Sequence, residues 1–187
     1  MTEILLGCQD WRHSEWVGSF YPSNTRDPDM LRWYAAGFNT VEVSDTFRGI
    51  PPEPLVREWR DAVPGGFVFA LKVPQQVTHE RRFVGADGIL RRFLDRAAIF
   101  GDRLGPLLLT MSPGFTPTDE TRAAVISFLS ALPQGFKWAV EFRHADWLKS
   151  DIVEALSARR VATALVEGRW IRRSRMLELA RAPTADF

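Results

Sequence analysis

The sequence has little of the residues that build redox and metal sites. Its 187 residues include one cysteine and three histidines. One cysteine can form neither an internal disulfide nor a thiolate zinc site. His79, His144, Glu42 and Glu141 could in principle surround one divalent ion, but no H-E-x-x-H or other tight ligand spacing supports this. We therefore predict that the protein binds no metal, and no motif in the sequence identifies a cofactor.

The sequence also lacks a charge excess and a long apolar run. Lysine and arginine number 24 and aspartate and glutamate 23, so the net charge is +1, which argues against bulk binding to nucleic acid or to membranes. No apolar run approaches the roughly 20 residues that span a bilayer. The acidic residue at position 3 is not typical of a signal peptide. We expect a soluble, cytoplasmic protein with one domain over residues 1–187.

Short apolar strands alternate with amphipathic helices along the chain. The predicted strands cover residues 4–8, 40–44, 67–73, 106–111, 137–143 and 161–166. The predicted helices cover residues 29–38, 51–63, 88–100, 118–132, 150–160 and 174–180, with the start of a seventh strand at 185–187. This alternation predicts parallel strands joined by right-handed crossovers, either in an open doubly wound sheet or in a (β/α)₈ barrel.

The distribution of charge within the strands favours the barrel. No G-x-G-x-x-G turn follows the first strand, as a dinucleotide-binding sheet would require, and there is no G-x-x-x-x-G-K-[ST] loop. Three strands place Glu42, Lys72 and Glu141 on the face opposite their apolar residues. Helices on both faces would instead favour almost wholly apolar strands. We therefore predict an α/β fold, an incomplete TIM-like barrel of about six strand–helix units with its charges near the C-terminal mouth.

Several segments resemble the YecE-like family, also called domain of unknown function 72. They are FNTVEVSDTF (38–47), FVFALKVPQQVTHER (67–81), LGPLLLTMSPGF (104–115), AVEFRHADW (139–147) and PTADF (183–187). The resemblance spans most of the chain, in order. It implies a TIM-like barrel and a candidate site, but no reaction, since the family's activity is not established.

The sequence departs from the family pattern at four places. The stretch GCQDW (7–11) replaces a Gly-Thr-Ser-Gly-Trp-like opening. Arg48 stands where an aromatic residue usually follows the Thr-Phe of the loop after the second strand. Thr110 replaces a glutamine that commonly ends the fourth strand. The family's remaining C-terminal strands are absent.

The strand charges are the strongest candidates for chemistry. Glu42 and Glu141 suit a general acid/base pair, and Lys72 a catalytic amine or anion contact. His79 and Arg143 lie at or just after strand ends, where His79 could transfer a proton and Arg143 could bind an anion. An equally open alternative is purely structural ion pairing, with Lys72 or Arg143 neutralising the glutamates.

Three further residues are predicted to contact substrate from loops that follow strands. They are Trp11, Arg48 and His144. The alternative for Trp11 is packing at the rim of the fold.

Three function classes remain open. The first is an enzyme, for example a hydrolase, isomerase or lyase, that acts on a small anionic substrate. The second is a barrel that binds or processes nucleic acid, disfavoured by the balanced charge and the absence of a known binding motif. The third is a non-catalytic interaction module that retains the fold, since a fold alone does not specify function.

The length of the chain sets an expectation about its stability. Eight units of this size would need about 240 residues, so the chain is expected to lack about 55 residues and two strands. Unpaired strand edges then favour self-association. We expect the 187-residue chain to be oligomeric, aggregation-prone or less stable than a version extended past Phe187, as measured by sedimentation and thermal unfolding. A monomer that melts as cooperatively as the extended chain would contradict this expectation.

Overall fold

The computed structural model describes residues 4–167 and 170–187, which divide into two compact units. The first unit comprises Met1–Lys72 and Arg91–Gly105, and the second comprises Val73–Leu90 and Pro106–Phe187. Within the described residues, the strands are β1 (Gly7–Gln9), β2 (Thr40–Val43), β3 (Val68–Lys72), β4 (Leu104–Thr110), β5 (Trp138–Glu141) and β6 (Val161–Thr163). The α-helices are α1 (Asp27–Gly37), α2 (Asp45–Arg48), α3 (Glu53–Asp61), α4 (Asp87–Ala97), α5 (Asp119–Ala131), α6 (Ser150–Ala158) and α7 (Arg173–Arg181). The predicted α/β fold is confirmed.

In the first unit, three parallel strands pair in chain order. Gly7 lies opposite Thr40 and Val41 opposite Phe69. The side chains of Val41, Val43, Phe69 and Leu71 are buried, as expected for residues that share one face of neighbouring strands. The polar residues between them therefore face the other way.

The helices of the first unit bury apolar stripes. Pro28 lies in the first turn of α1, and Pro54 in the first turn of α3, where a missing N–H is harmless. On α1, Tyr34 is fully buried. Its hydroxyl donates to the carbonyl of Thr40 at 2.9 Å and accepts from the backbone N–H of Cys8 at 2.6 Å. Burial raises the pKa of Tyr34 to about 12, so the phenol stays protonated and joins α1 to both strands.

In the second unit, β4, β5 and β6 also pair in parallel and in chain order. Leu107 lies opposite Trp138, and Thr110 lies opposite Glu141. The side chains of Leu107, Leu109 and Val140 are almost fully buried. On the surface, Thr118 and its partner Thr121 form a capping box that begins α5.

Some element boundaries differ from the sequence-based predictions. The first strand begins at Gly7, and the preceding Ile4 and Leu6 are exposed although apolar, since pairing with β2 begins only at Thr40. The last strand is also shorter, because β6 ends at Thr163. At the described residues 185–187 the predicted strand does not form. Instead, Asp186 pairs with Arg160.

Three short helical turns directly follow strands and were not predicted. They are α2 after β2, a π-helical turn at Gln76–Glu80 after β3 and a 3₁₀ turn at Ala145–Trp147 after β5. These turns carry or adjoin several of the predicted site residues. Across 4–167 and 170–187, no helix has the length and apolar character needed to cross a bilayer.

Gly7 provides a test of the strand pairing. A Cβ added there would lie 2.0 Å from the carbonyl oxygen of Thr40, on the neighbouring strand. We expect Gly7→Ala to lower the free energy of unfolding by about 2 kcal/mol or more in urea denaturation, because the backbones must separate. The matched variant is Gly65→Ala, whose Cβ would meet no atom of the described residues within 4 Å. It should have little effect or a stabilising one, and equal losses in both variants would contradict the close approach of β1 to β2.

Candidate active site

The first unit brings Glu42 and Lys72 together. The Nζ atom of Lys72 lies 2.8 Å from Oε1 of Glu42. Glu42 pairs with Ala70 in register, so Lys72 is its diagonal neighbour on the same face. The lysine side chain is only 13% exposed, which makes the carboxylate its compensating charge.

A polar network joins the ends of β1 and β2 around this pair. The side chain of Gln9 donates to the hydroxyl of Ser44 at 2.5 Å, and the backbone N–H of Ser44 donates to the carboxylate of Asp10 at 2.7 Å. Asp10 has a φ of 56°, a left-handed conformation that aspartate tolerates better than most residues. Its backbone N–H donates to the carbonyl of Glu42 at 2.8 Å. Sequence reasoning did not identify this network, although Gln9 and Asp10 stood out as departures from the family pattern.

In the second unit, four residues form what we name the carboxylate cluster: Thr110, Glu141, Arg143 and His79. Glu141 is the last residue of β5, and its side chain is 10% exposed. Its Oε1 atom accepts from Nε of Arg143 at 2.6 Å, and its Oε2 atom accepts from the hydroxyl of Thr110 at 3.3 Å. Both oxygens of this buried carboxylate therefore have a donor, which offsets the free-energy cost of desolvation.

His79 adds a titratable group to the cluster. It lies in the π-helical turn after β3, and its Nδ1 atom is 2.9 Å from the hydroxyl of the buried Thr78. Burial lowers the pKa of His79 below its usual 6.5, the positive charge of Arg143 lowers it further, and Glu141 acts in the opposite direction. His79 is consequently neutral at pH 7 and able to accept a proton.

Arg143 is the cluster's anion-binding group. Its Nε atom donates a hydrogen bond to Glu141. Among the residues that the structure describes, its two Nη groups make no hydrogen bond. The side chain is 29% exposed, so the outer edge of the guanidinium can bind an oxyanion through two parallel N–H groups. The buried carboxylate thus fixes the anion-binding group, and its charge also acts on the pKa of the nearby proton acceptor, His79.

The other predicted substrate contacts, Trp11, Arg48 and His144, each have partners within the protein. Trp11 is 2% exposed, and its ring makes an edge-on contact with Trp59 at 5.2 Å between centroids, so little of it is accessible for stacking on a ligand. Arg48 is exposed and pairs with Asp45 at 3.3 Å. The Nδ1 atom of His144 accepts from the backbone N–H of Asp146 and caps a turn.

Thr110 and Thr78 contact candidate residues, although the sequence pattern does not predict either as a site residue. The position of Thr110 at the end of a strand is a usable signal, beyond its departure from the family pattern. Thr78 directly precedes His79, and no sequence feature marks it. In the described ranges, no three His, Cys, Asp or Glu side chains are arranged to hold a metal ion.

Comparison with known proteins identifies the family to which this α/β chain belongs. The family model described as "Protein of unknown function DUF72" matches residues 5–187. UPF0759 protein YecE of Escherichia coli strain K12 is 30% identical over 141 residues, which cover 75% of this chain and 48% of YecE. The chain belongs to the DUF72 family, and it spans about half the length of the curated relatives it matches.

Two solved structures share the fold. The DUF72 family protein TM1631 of Thermotoga maritima MSB8 has a TM-score of 0.74 and 22% identity, covering 96% of this chain and 70% of that one. The DUF72 family protein EF0366 of Enterococcus faecalis V583 has a TM-score of 0.71 and 22% identity, covering 87% of this chain and 60% of that one. At this identity the similarity concerns the fold alone.

The electrostatics of His79 can be measured directly. We expect its imidazole to titrate below pH 6.5 in an NMR pH titration. Arg143→Gln should raise its pKa, because a repelling charge is removed, and Glu141→Gln should lower it further. The unfolded chain binds this proton more readily, so the contribution of His79 to the free energy of unfolding falls as the pH drops below 6.5. Identical midpoints in wild type and both variants would contradict the cluster.

Proposed function

We propose that the protein is an enzyme that acts on a small anionic substrate at the carboxyl ends of its strands. The observation that carries the proposal is the carboxylate cluster, in which the buried carboxylate of Glu141 holds the partly exposed guanidinium of Arg143 and both charges act on the pKa of His79. Arg143 binds the anionic group of the substrate, His79 takes a proton from the substrate, and Glu141 stabilises the resulting imidazolium. General bases of this kind are used by hydrolases, isomerases and lyases.

Each residue of the cluster has a distinct part in this proposal. Burial and the charge of Arg143 keep His79 unprotonated, so it is the base at neutral pH. Glu141 stabilises the imidazolium that forms when His79 takes a proton, because its charge raises the pKa of His79. Thr110 holds Oε2 of Glu141 and thereby fixes the direction of the carboxylate. Thr110 is therefore a positioning residue.

Glu42 and Lys72 stay candidates for catalysis in the first unit. Their ion pair lies on the polar face of β2 and β3, with the lysine at the last position of its strand. An anionic substrate group could replace the carboxylate as the partner of Lys72. The same pair would also serve as a purely structural ion pair, so Lys72→Ala must be tested for both binding and stability.

The finer fold we infer is a TIM-like (β/α) barrel, with the site at its C-terminal mouth. The support is strand alternation. Val41 and Val43 are buried while Glu42 points to the other face, and in β5, where all four residues are buried, Glu141 points to the face away from Trp138 and Val140. We place the protein in the cytoplasm, where a lone cysteine needs no disulfide partner.

The test is a panel of small carboxylates and phosphate monoesters, screened by thermal shift and for turnover by NMR. A panel member that binds should lose about tenfold or more in affinity with Arg143→Gln, because the bidentate contact is removed. Arg57→Gln is the matched control, since Arg57 also pairs with a glutamate, Glu53 at 2.6 Å, but both side chains lie on the exposed face of α3.

Turnover separates catalysis from binding. Glu141→Gln and His79→Gln should each lower kcat by about 100-fold or more while the chain stays folded, since each removes a proton-transfer group or its stabilising charge. If no panel member loses affinity with Arg143→Gln, or if turnover survives both catalytic substitutions, the proposed function is refuted.

A further inference from the structure

A polar cavity lies at the opposite ends of the strands from the carboxylate cluster. Its volume is about 560 Å³, within the usual range for small-molecule sites. It is formed by the loop before β5 and the loop before β6, and because these strands are parallel, both loops lie at the same edge. We name it the basic groove, and the residues that matter are Phe136, Lys137, Arg159, Arg160, Asp186 and Phe187.

The side chains of the basic groove carry an excess of positive charge. Three cations, Lys137, Arg159 and Arg160, stand against the single carboxylate side chain of Asp186. The hydrogen bond from Arg160, and to a lesser extent the charge of Lys137, hold the pKa of Asp186 below its usual range. Arg159 is fixed by donating to the carbonyl of Leu132 at 2.5 Å. The groove therefore attracts anions.

Arg160 occupies a backbone position that favours glycine. Its φ is 51°, in the left-handed region, directly after the C-terminal end of α6. Helices commonly end with a glycine in this conformation, because a Cβ is strained there. The backbone at this position therefore does not itself favour arginine. The arginine side chain reaches into the groove and pairs with Asp186.

Aromatic rings form another part of the groove wall. Phe136 packs edge-on against the buried Trp138, with ring centroids 6.1 Å apart. Phe187 is 44% exposed, and the Nζ atom of Lys137 lies 5.5 Å from the centroid of its ring. Cations and aromatic surface thus lie next to each other.

We propose that the basic groove binds an aromatic anion, a planar ring that carries a phosphate or a carboxylate. The anionic group contacts Arg160 and Lys137 and replaces Asp186 as the partner of the arginine. The ring packs against Phe136 and Phe187. This site does not depend on the proposed function, since it uses different residues at the other ends of the strands.

The probes are phenyl phosphate, benzoate and inorganic phosphate, titrated into the 187-residue chain and followed by calorimetry and by NMR shifts of the groove residues. Phenyl phosphate should bind about tenfold more tightly than inorganic phosphate, because only it can use the aromatic wall. The comparison with benzoate then shows whether the groove prefers phosphate or carboxylate. Inorganic phosphate that binds as tightly as phenyl phosphate would overturn the aromatic part of the proposal.

Arg160→Gly separates binding from folding. It removes the cation while placing glycine where the backbone favours it, so the melting temperature should not fall. Affinity for phenyl phosphate should drop about tenfold. Asp186→Asn should have the opposite effect and tighten binding severalfold, because a competing carboxylate is lost.

The matched control is Arg82→Gly, since Arg82 is also an exposed arginine with a left-handed φ, 47°, but lies outside the groove. It should leave the affinity for phenyl phosphate unchanged. Equal affinities in Arg160→Gly and wild type, or NMR shifts confined to residues outside the groove, would overturn the proposal. Glu141→Gln should bind phenyl phosphate like wild type, so loss of the proposed activity would leave this result intact.

Discussion

The two-residue alternation of paired parallel strands is the constraint on which the rest of the structure depends. Once Val41 and Val43 are buried, the pleat directs Glu42 to the other face, and the same holds for Glu141 after Val140. Shifting the pairing by one residue would place these carboxylates in the apolar layer without partners, at a large free-energy cost. The pairing register therefore decides on which face of the strands the charges lie.

Each polar strand face must then compensate its own charges. Lys72 does so for Glu42, and Arg143 together with Thr110 does so for Glu141. The two arrangements differ chemically. The first is a simple pair at 2.8 Å, whereas the second adds a titratable imidazole whose pKa responds to both neighbouring charges. This difference is why the second unit gives the stronger candidate for proton transfer.

The chain belongs to the DUF72 family and shares its fold with TM1631 and EF0366. The family relationship leaves the chemistry open, because one fold hosts many unrelated reactions. Function therefore depends on particular side chains. The carboxylate cluster and the basic groove use different residues at opposite ends of the strands, which allows each to be tested without the other.

The sequence by itself determined the α/β class, all six strands and the faces on which Glu42, Lys72 and Glu141 lie, because side-chain direction in a strand depends only on position along the chain. Strand ends were less predictable. The apolar Ile4 and Leu6 lie outside β1, since hydrogen bonding to a neighbour decides where a strand begins. Only the tertiary structure decided that Thr110 holds Glu141, that Trp11 is buried and that Arg160 faces a groove with Lys137. These contacts join residues far apart in the chain, and such proximity follows from how the elements pack, which no local pattern encodes.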